Sequence, residues 1–283
     1  MNFIAKCCFQ WFCSCIPGGQ ELNYMLQRHF TKSLPVSKKK FLEKAEMARK
    51  HYENFKKFSA SPAGYVNYYE FGAGWDLISP LVLHSLGVNR LNIIDIKRLI
   101  KPELVSDTIE KVYAYKNDIE LRPDNLISVL RDKFSIHYEA PKNAKQTGFD
   151  DDSMDFIASN VTFEHIPTKD IPAVLDECYR ILKPGGIFSL NIDYQDHWSY
   201  FDKSISHYNF LKYSEKEWAW LNPPIHYQNR IRHKEFVELL KATKFTILEE
   251  INTPSTKEDM ETLKSLNISE DLGIKFAEFV LTK

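Results

Sequence analysis

Glu70-Phe71-Gly72-Ala73-Gly74-Trp75 falls where an apolar run, Val66 to Phe71, gives way to a helical pattern, Ile78 to Leu86. Two glycines one residue apart let the backbone turn tightly and let a ligand approach without interference from Cβ. In open α/β sheets, ligands bind beyond the carboxyl ends of strands, near the point where strand order reverses. A Gly-x-Gly pair occurs in many turns, so its neighbours carry the argument. Asp95 closes the next apolar run, in Asn92-Ile93-Ile94-Asp95. A carboxylate there accepts the hydroxyls of a ribose; its other use is as a helix N-cap, and the spacing from the glycine turn favours the ribose. The third glycine of a dinucleotide fingerprint would fall at Leu77. No phosphate cradle follows, and Glu70 adds negative charge. A cationic, phosphate-free nucleoside is the better guest.

Outward from this turn, strand and helix patterns alternate, the mark of a mostly parallel sheet. Strands are expected at Val66–Phe71, Leu91–Ile96, Ser135–Tyr138, Asp155–Ser159, Ile187–Ile192, Phe245–Ile251 and Phe276–Leu281. Helices are expected at Ile78–Leu86, Val105–Tyr115, Leu126–Lys133, Ile171–Leu182 and Lys234–Thr243. Residues 1–60 read as an N-terminal helical extension, with Leu42, Ala45, Ala48 and Phe55 as one apolar face, ended by Ser61-Pro62-Ala63-Gly64. Residues 61–283 read as one domain, with an aromatic insertion at about 194–230.

The 283 residues carry a formal net charge of −1, so no global basic field gathers nucleic acid, and no such partner is expected. Four of the five cysteines fall in the first fifteen residues, without zinc-finger spacing or a nearby histidine. Neither they nor the run Asp150-Asp151-Asp152 suggests a metal site, and a reduced, cytoplasmic setting fits them. Residues 1–16 are apolar but shorter than a membrane span, and a signal peptide is not favoured. Ile4, Cys8, Trp11 and Cys15, with Phe12 beside them, recur at helical spacing. Such a helix is expected to pack on its own domain; peripheral membrane or partner contact is the other reading.

Taken in order, the motifs resemble those of the class I S-adenosylmethionine-dependent methyltransferases, in the branch that acts on small molecules. The resemblance covers about residues 65–192. It runs through Glu70-Phe71-Gly72-Ala73-Gly74, Asp95, Asp155-Phe156-Ile157-Ala158-Ser159-Asn160, Val161-Thr162-Phe163-Glu164-His165-Ile166 and Leu182-Lys183-Pro184-Gly185-Gly186. It implies a Rossmann-like, seven-stranded, mostly parallel α/β sheet with helices on both faces, and S-adenosylmethionine as cofactor. It places Gly72, Ala73 and Gly74 against the methionine part, with Glu70 ordering the turn or meeting the ammonium group. It implies Asp95 on the ribose, and Ser159 and Asn160 beside the transfer site. Where the family has an Asp-Ala pair for adenine, this chain has Asn143-Ala144, whose amide oxygen still accepts a hydrogen bond. His165 reads equally as a site residue or as a loop cap.

The insertion should supply the acceptor pocket for a small molecule, a glycan or a lipid. Its aromatics read as a satellite core or as a lid. His197 follows a strand end by a few residues, with Asp193 and Asp196 near, and is the candidate base toward a hydroxyl. Arg230 and Arg232 read as partners of an acidic acceptor or as surface pairs. Two other functions fit parts of the pattern: an aminopropyl-type transferase, and a nucleoside-binding regulatory module without catalysis. The sequence does not fix an oligomeric state.

Overall fold

The computed structural model describes residues 2–60, 64–113, 121–265 and 273–283. The expected break at Ser61-Pro62-Ala63 and the last two residues of the helix expected over Val105–Tyr115 lie outside these. Strand β1 (Asn67–Phe71) is buried along nearly its whole length, which suits a central strand covered on both faces. It pairs in parallel with β2 (Arg90–Ile94) on one side and β4 (Met154–Asn160) on the other. Beyond β2 lies β3 (Ile136–Glu139); beyond β4 lies β5 (Leu182–Asp193). The sheet ends in antiparallel β7 (Ile274–Thr282) and β6 (Thr246–Pro254), giving the order β3-β2-β1-β4-β5-β7-β6 among the described residues. Strand order reverses between β1 and β4, so a ligand cleft is expected above their carboxyl ends.

One face of the sheet is covered by α3 (Lys38–Phe58), α4 (Ile78–Ser85), α5 (Pro102–Tyr113) and α6 (Leu126–Phe134). Their Phe55, Leu81, Ile109 and Leu130 share a core with Tyr68, Ile93 and Phe156. The other face is covered by α7 (Ile171–Ile181) and α9 (His233–Ala242) through Leu175, Cys178, Phe236 and Leu240. The expected strand at Ile187 begins earlier. Leu182 already pairs with Met154, and a bulge absorbs Lys183-Pro184-Gly185-Gly186 before Ile187 meets Phe156.

Residues 2–60 form α1 (Phe3–Cys15), α2 (Gly19–His29) and α3, and all three helices bury a face. In α3 that face is Phe41, Ala45, Ala48 and Phe55; Leu42, expected on it, is 49% exposed. The stripe expected to pack in α1 is also displaced. Phe3, Cys7, Gln10 and Cys13 are buried, while Ile4, Cys8, Phe12 and Cys15 point outward. Both stripes are apolar enough to pack, so periodicity alone did not choose between them. The choice came from Trp198, Tyr208, Phe210 and Trp218, which enclose Phe3 and Cys7.

These aromatics make the insertion a satellite core with α1. It also includes α8 (Glu215–Leu221) and Leu263 of α10 (Lys257–Ser265), a helix the sequence pattern did not announce. The Trp11 indole N–H donates to the Trp220 carbonyl at 2.6 Å, and Ile225 N–H donates to Ser14 Oγ at 3.2 Å. All five cysteines are free, and no helix of the described residues is long and apolar enough to cross a membrane.

Candidate active site

Gly72 and Gly74 both take left-handed backbone, with φ of +74° and +77°. A Cβ on Gly72 would stand 2.6 Å from Thr162 Cγ2, whereas one on Gly74 would meet nothing within 4 Å. The first glycine is therefore required by packing as well as by conformation, and the second faces open space. Leu77, at the position of the absent third glycine, is also left-handed, with φ 51° and ψ 35°. Its side chain is fully buried in the core under α4. That burial opposes the unfavourable backbone.

Above this turn lies a cavity of about 620 Å³. Gly72, Gly74, Asp95, Asn143 and Ala144 line one end; His165, Pro224, Ile225, His226 and Tyr227 line the other. Asp95 is 5% exposed, and its Oδ2 has no hydrogen-bond partner. Burial first, only partly opposed by the N–H groups of Lys97, Gly74 and Ile96, raises its pKa to about 6. A buried acceptor without a donor is costly, and a ribose hydroxyl reaching it would supply one. The loop carrying Asn143 is tied to β2 by Lys142 N–H on the Asp95 carbonyl at 2.8 Å. Asn143 Oδ1 accepts from Lys145 N–H at 3.0 Å and retains a second lone pair.

Glu70 does not line this cavity. It accepts from the Tyr68 and Ser79 hydroxyls at 2.7 and 3.0 Å, joining β1 to the start of α4. Its pKa is raised to about 7, by burial first, with Asp76 and Asp95 adding repulsion. Ala73 packs against the core beneath the turn. Ser159 is fully buried, and Asn160 accepts from the Asn191 amide at 3.4 Å. Neither lines the cavity, whose wall at this strand end is Val161 and Thr162. Val161 holds φ at 47°, a rare conformation for a β-branched residue.

Asp193 ends β5, and its Oδ2 stands 3.4 Å from His197 Nε2. The same oxygen accepts from the Tyr200 hydroxyl, and Oδ1 accepts from Gln195 N–H and Nε2–H, both at 3.0 Å. Burial works against the Asp193 charge, but His197, Tyr200 and Gln195 together hold its pKa below the ordinary value. His197 lies just behind the cavity wall, its ring 5.0 Å from that of His165 and 6.3 Å from that of His226. His165 is walled in on most sides but open to the cavity, and its Nδ1 meets the Tyr227 carbonyl at 2.7 Å. Enclosure first, then the neighbouring histidines, lowers the pKa of His165 to about 4 and that of His226 to about 3. Both rings are therefore neutral at pH 7. Beside them Glu164 is 1% exposed, and burial drives its carboxyl well above the usual range.

Arg232 donates to the Tyr194 and Ile274 carbonyls, and Arg230 meets Glu215 and the carbonyls of Phe210 and Tyr213. Neither lines the cavity. Sequence reasoning missed Thr162 as the partner of Gly72, Gln20 of α2, and the wall from Pro224 to Tyr227. Thr162 belongs to the motif after β4, and Pro224 to Tyr227 to the insertion expected to supply the acceptor pocket, but no local signal singled these residues out as the wall.

A protein family described as a methyltransferase domain matches residues 122–190, from the start of α6 through most of β5. No curated protein matches the chain. Among solved structures, a geranyl diphosphate methyltransferase bound to its diphosphate substrate and sinefungin is similar at 10% identity and a TM-score of 0.52. The alignment covers 84% of this chain and 77% of that one. A geranyl diphosphate C-methyltransferase from Streptomyces coelicolor A3(2) is similar at 11% identity and 0.49, over 85% and 76% of the two chains. An S-adenosylmethionine-dependent methyltransferase from Mesorhizobium loti is similar at 12% identity and 0.45, over 84% and 96%. At 10% identity and a TM-score of 0.52, the first of these likenesses is one of fold alone.

Proposed function

We propose that the chain is a class I S-adenosylmethionine-dependent methyltransferase that transfers the methyl group to a hydroxyl of a small acceptor. One observation carries this reading: a single cavity is lined by Asp95, whose Oδ2 has no partner, and by the neutral histidines His165 and His226. Asp95 holds the ribose, Asn143 and Ala144 border the adenine, and the turn at Gly72 and Gly74 takes the methionine part. When bound, S-adenosylmethionine supplies a methyl group on a positively charged sulfur, which keeps the electron pair of the broken carbon–sulfur bond.

The chain aligns the acceptor and excludes water, which is most of what an in-line displacement needs. A hydroxyl must also lose its proton as its oxygen bonds to the methyl carbon. That proton is removed at the histidine end, where His197, oriented by Asp193, is the group on which removal depends. Aminopropyl transfer fits less well. Asp193 and Asp196 are bonded to their own neighbours, neither lines the cavity, and Asp170, which does, is paired with Lys145 at 2.9 Å. The outward stripe of α1, with Ile4 43% and Phe12 57% exposed, is where residues 1–16 would meet a membrane surface.

Methyl-labelled S-adenosylmethionine, offered with matched alcohol, amine and thiol acceptors, tests the proposal. Label is expected on oxygen. Label on nitrogen or sulfur alone overturns the hydroxyl assignment, and cofactor binding without turnover on any acceptor supports the regulatory module instead.

A further inference from the structure

Glu164 is buried against the histidine end of the cavity in a way that the methyl-transfer reading alone does not explain. Its side chain is 1% exposed, and neither carboxylate oxygen has a hydrogen-bond partner. The N–H groups of Glu164 and Asp193 face it closely enough to favour the charged form only weakly. A buried carboxylate without a partner is strongly unfavourable, and such groups are normally paired or bound to a metal. Among the described residues, no cation is paired with Glu164. The Asp193 carboxylate repels its charge, and two imidazoles stand close: one ligand atom from each of Glu164, His165 and His197 lies within 4.8 Å of the other two.

We propose that Glu164, His165 and His197 bind a divalent transition-metal ion at the acceptor end of the cofactor cavity. The donor set agrees with this. Two imidazoles and one carboxylate suit zinc, manganese, iron, cobalt or nickel, whereas magnesium and calcium prefer oxygen alone. Ligands held at about 2.0–2.2 Å from one ion sit roughly 3–4 Å apart, so a small side-chain rotation closes the cluster. His165 is prepared for the task. Its Nδ1 is engaged by the Tyr227 carbonyl, which leaves Nε2 as the lone-pair nitrogen. A ligating histidine usually has its second nitrogen near a carbonyl or carboxylate, and the Asp193 carboxylate lies 3.4 Å from His197 Nε2, a buried nitrogen without a hydrogen-bond partner. Three protein ligands leave coordination positions free, and His165 opens on the cavity.

This inference rests on the hydroxyl reading and deepens it. An ion there would bind the acceptor oxygen and lower the pKa of its O–H, the proton passing to water as the oxygen bonds to the methyl carbon. His197 then acts as a ligand to the ion. Nothing in the residue pattern announces such a site, because 31 residues separate Glu164-His165 from His197 and the spacing matches no familiar ligand motif.

The test is a titration of chelator-stripped protein with Co²⁺, read by its visible absorption and by the thermal midpoint. The expected result is one ion per chain, with a rise in midpoint by mass action. Glu164→Gln keeps the shape and removes the charge, and His165→Ala alters a side chain open to the cavity. Each is expected to weaken Co²⁺ by more than the roughly 10–100-fold typical of outer-shell changes. Absence of stoichiometric binding at millimolar Co²⁺, or wild-type affinity in both variants, overturns the site. Stripped enzyme that still methylates hydroxyls at full rate, while His197→Ala does not, overturns the metal role and leaves the hydroxyl reading standing. Stoichiometric Co²⁺ in an enzyme that labels only nitrogen does the reverse.

Discussion

At one end of the cavity, Gly72, Gly74, Asp95 and Asn143 come from the turns that follow adjacent parallel strands. At the other end, His165 and, behind the wall, Glu164 come from a short helical turn after β4, while His226 and, behind the wall, His197 come from an insertion held in place by α1. The first end is set by backbone: left-handed glycines, strand register, and a carboxylate at a strand terminus. The second is set by side-chain packing around Trp198, Tyr208 and Trp218. On the proposed function the difference separates recognition of the cofactor from handling of the acceptor, and each end is then open to independent damage.

The largest expected effect is at the acceptor end. His197→Ala should lower turnover on a hydroxyl acceptor by about 10²–10⁴-fold. Affinity for S-adenosylhomocysteine, measured by calorimetry, should stay within about twofold, since cofactor contacts are made elsewhere. An equal loss of both would dissolve the distinction between the two ends. Full activity would return His197 to the satellite core as a packing residue.

Next in size is Asp95→Ala, which removes the proposed acceptor for the ribose hydroxyls. Hydrogen bonds to a charged group contribute about 1.5–3 kcal/mol, so S-adenosylhomocysteine should bind roughly 10–100-fold more weakly. Unchanged affinity would take Asp95 out of the site.

A smaller effect follows from the Asp95 pKa of about 6. The ligand favours the ionised carboxylate, so affinity should be level above that pH and fall as pH drops through it, by at most about tenfold per unit. The Asp95→Ala variant should lose this component of the profile. A wild-type profile that stays flat from pH 8 to pH 5 would show that ionisation of Asp95 does not govern binding.

The smallest effect sharpens the comparison between the two faces of α1. Phe12 is 57% exposed, so Phe12→Ser should change stability by no more than about 0.5 kcal/mol. If the outward stripe meets a membrane, the variant should be recovered less with floated liposomes than wild type. Equal recovery counts against the contact.

The parallel part of the sheet was legible in the sequence because buried strands and covering helices impose their periods on residues close together in the chain. Asp95 and the glycine turn were legible for the same reason: each sits at a fixed offset from a strand end. The inward face of α1 was not, since Ile4-Cys8-Trp11-Cys15 and Phe3-Cys7-Gln10-Cys13 are both regular stripes, and of the first only Trp11 packs inward. Only contact with aromatics some two hundred residues away chose between them. Ser159 and Asn160 were read from their motif as beside the transfer site, yet the backbone turns at Val161 and offers that residue and Thr162 to the cavity. His197 was visible as a residue but not as a member of a group. Its nearness to Glu164, His165 and His226 depends on β4 and β5 lying side by side and on α1 pressing the insertion onto them. The chain alone determined which cofactor the strand ends can hold. The chemistry brought to bear on the acceptor was decided by long-range packing, which local periodicity does not encode.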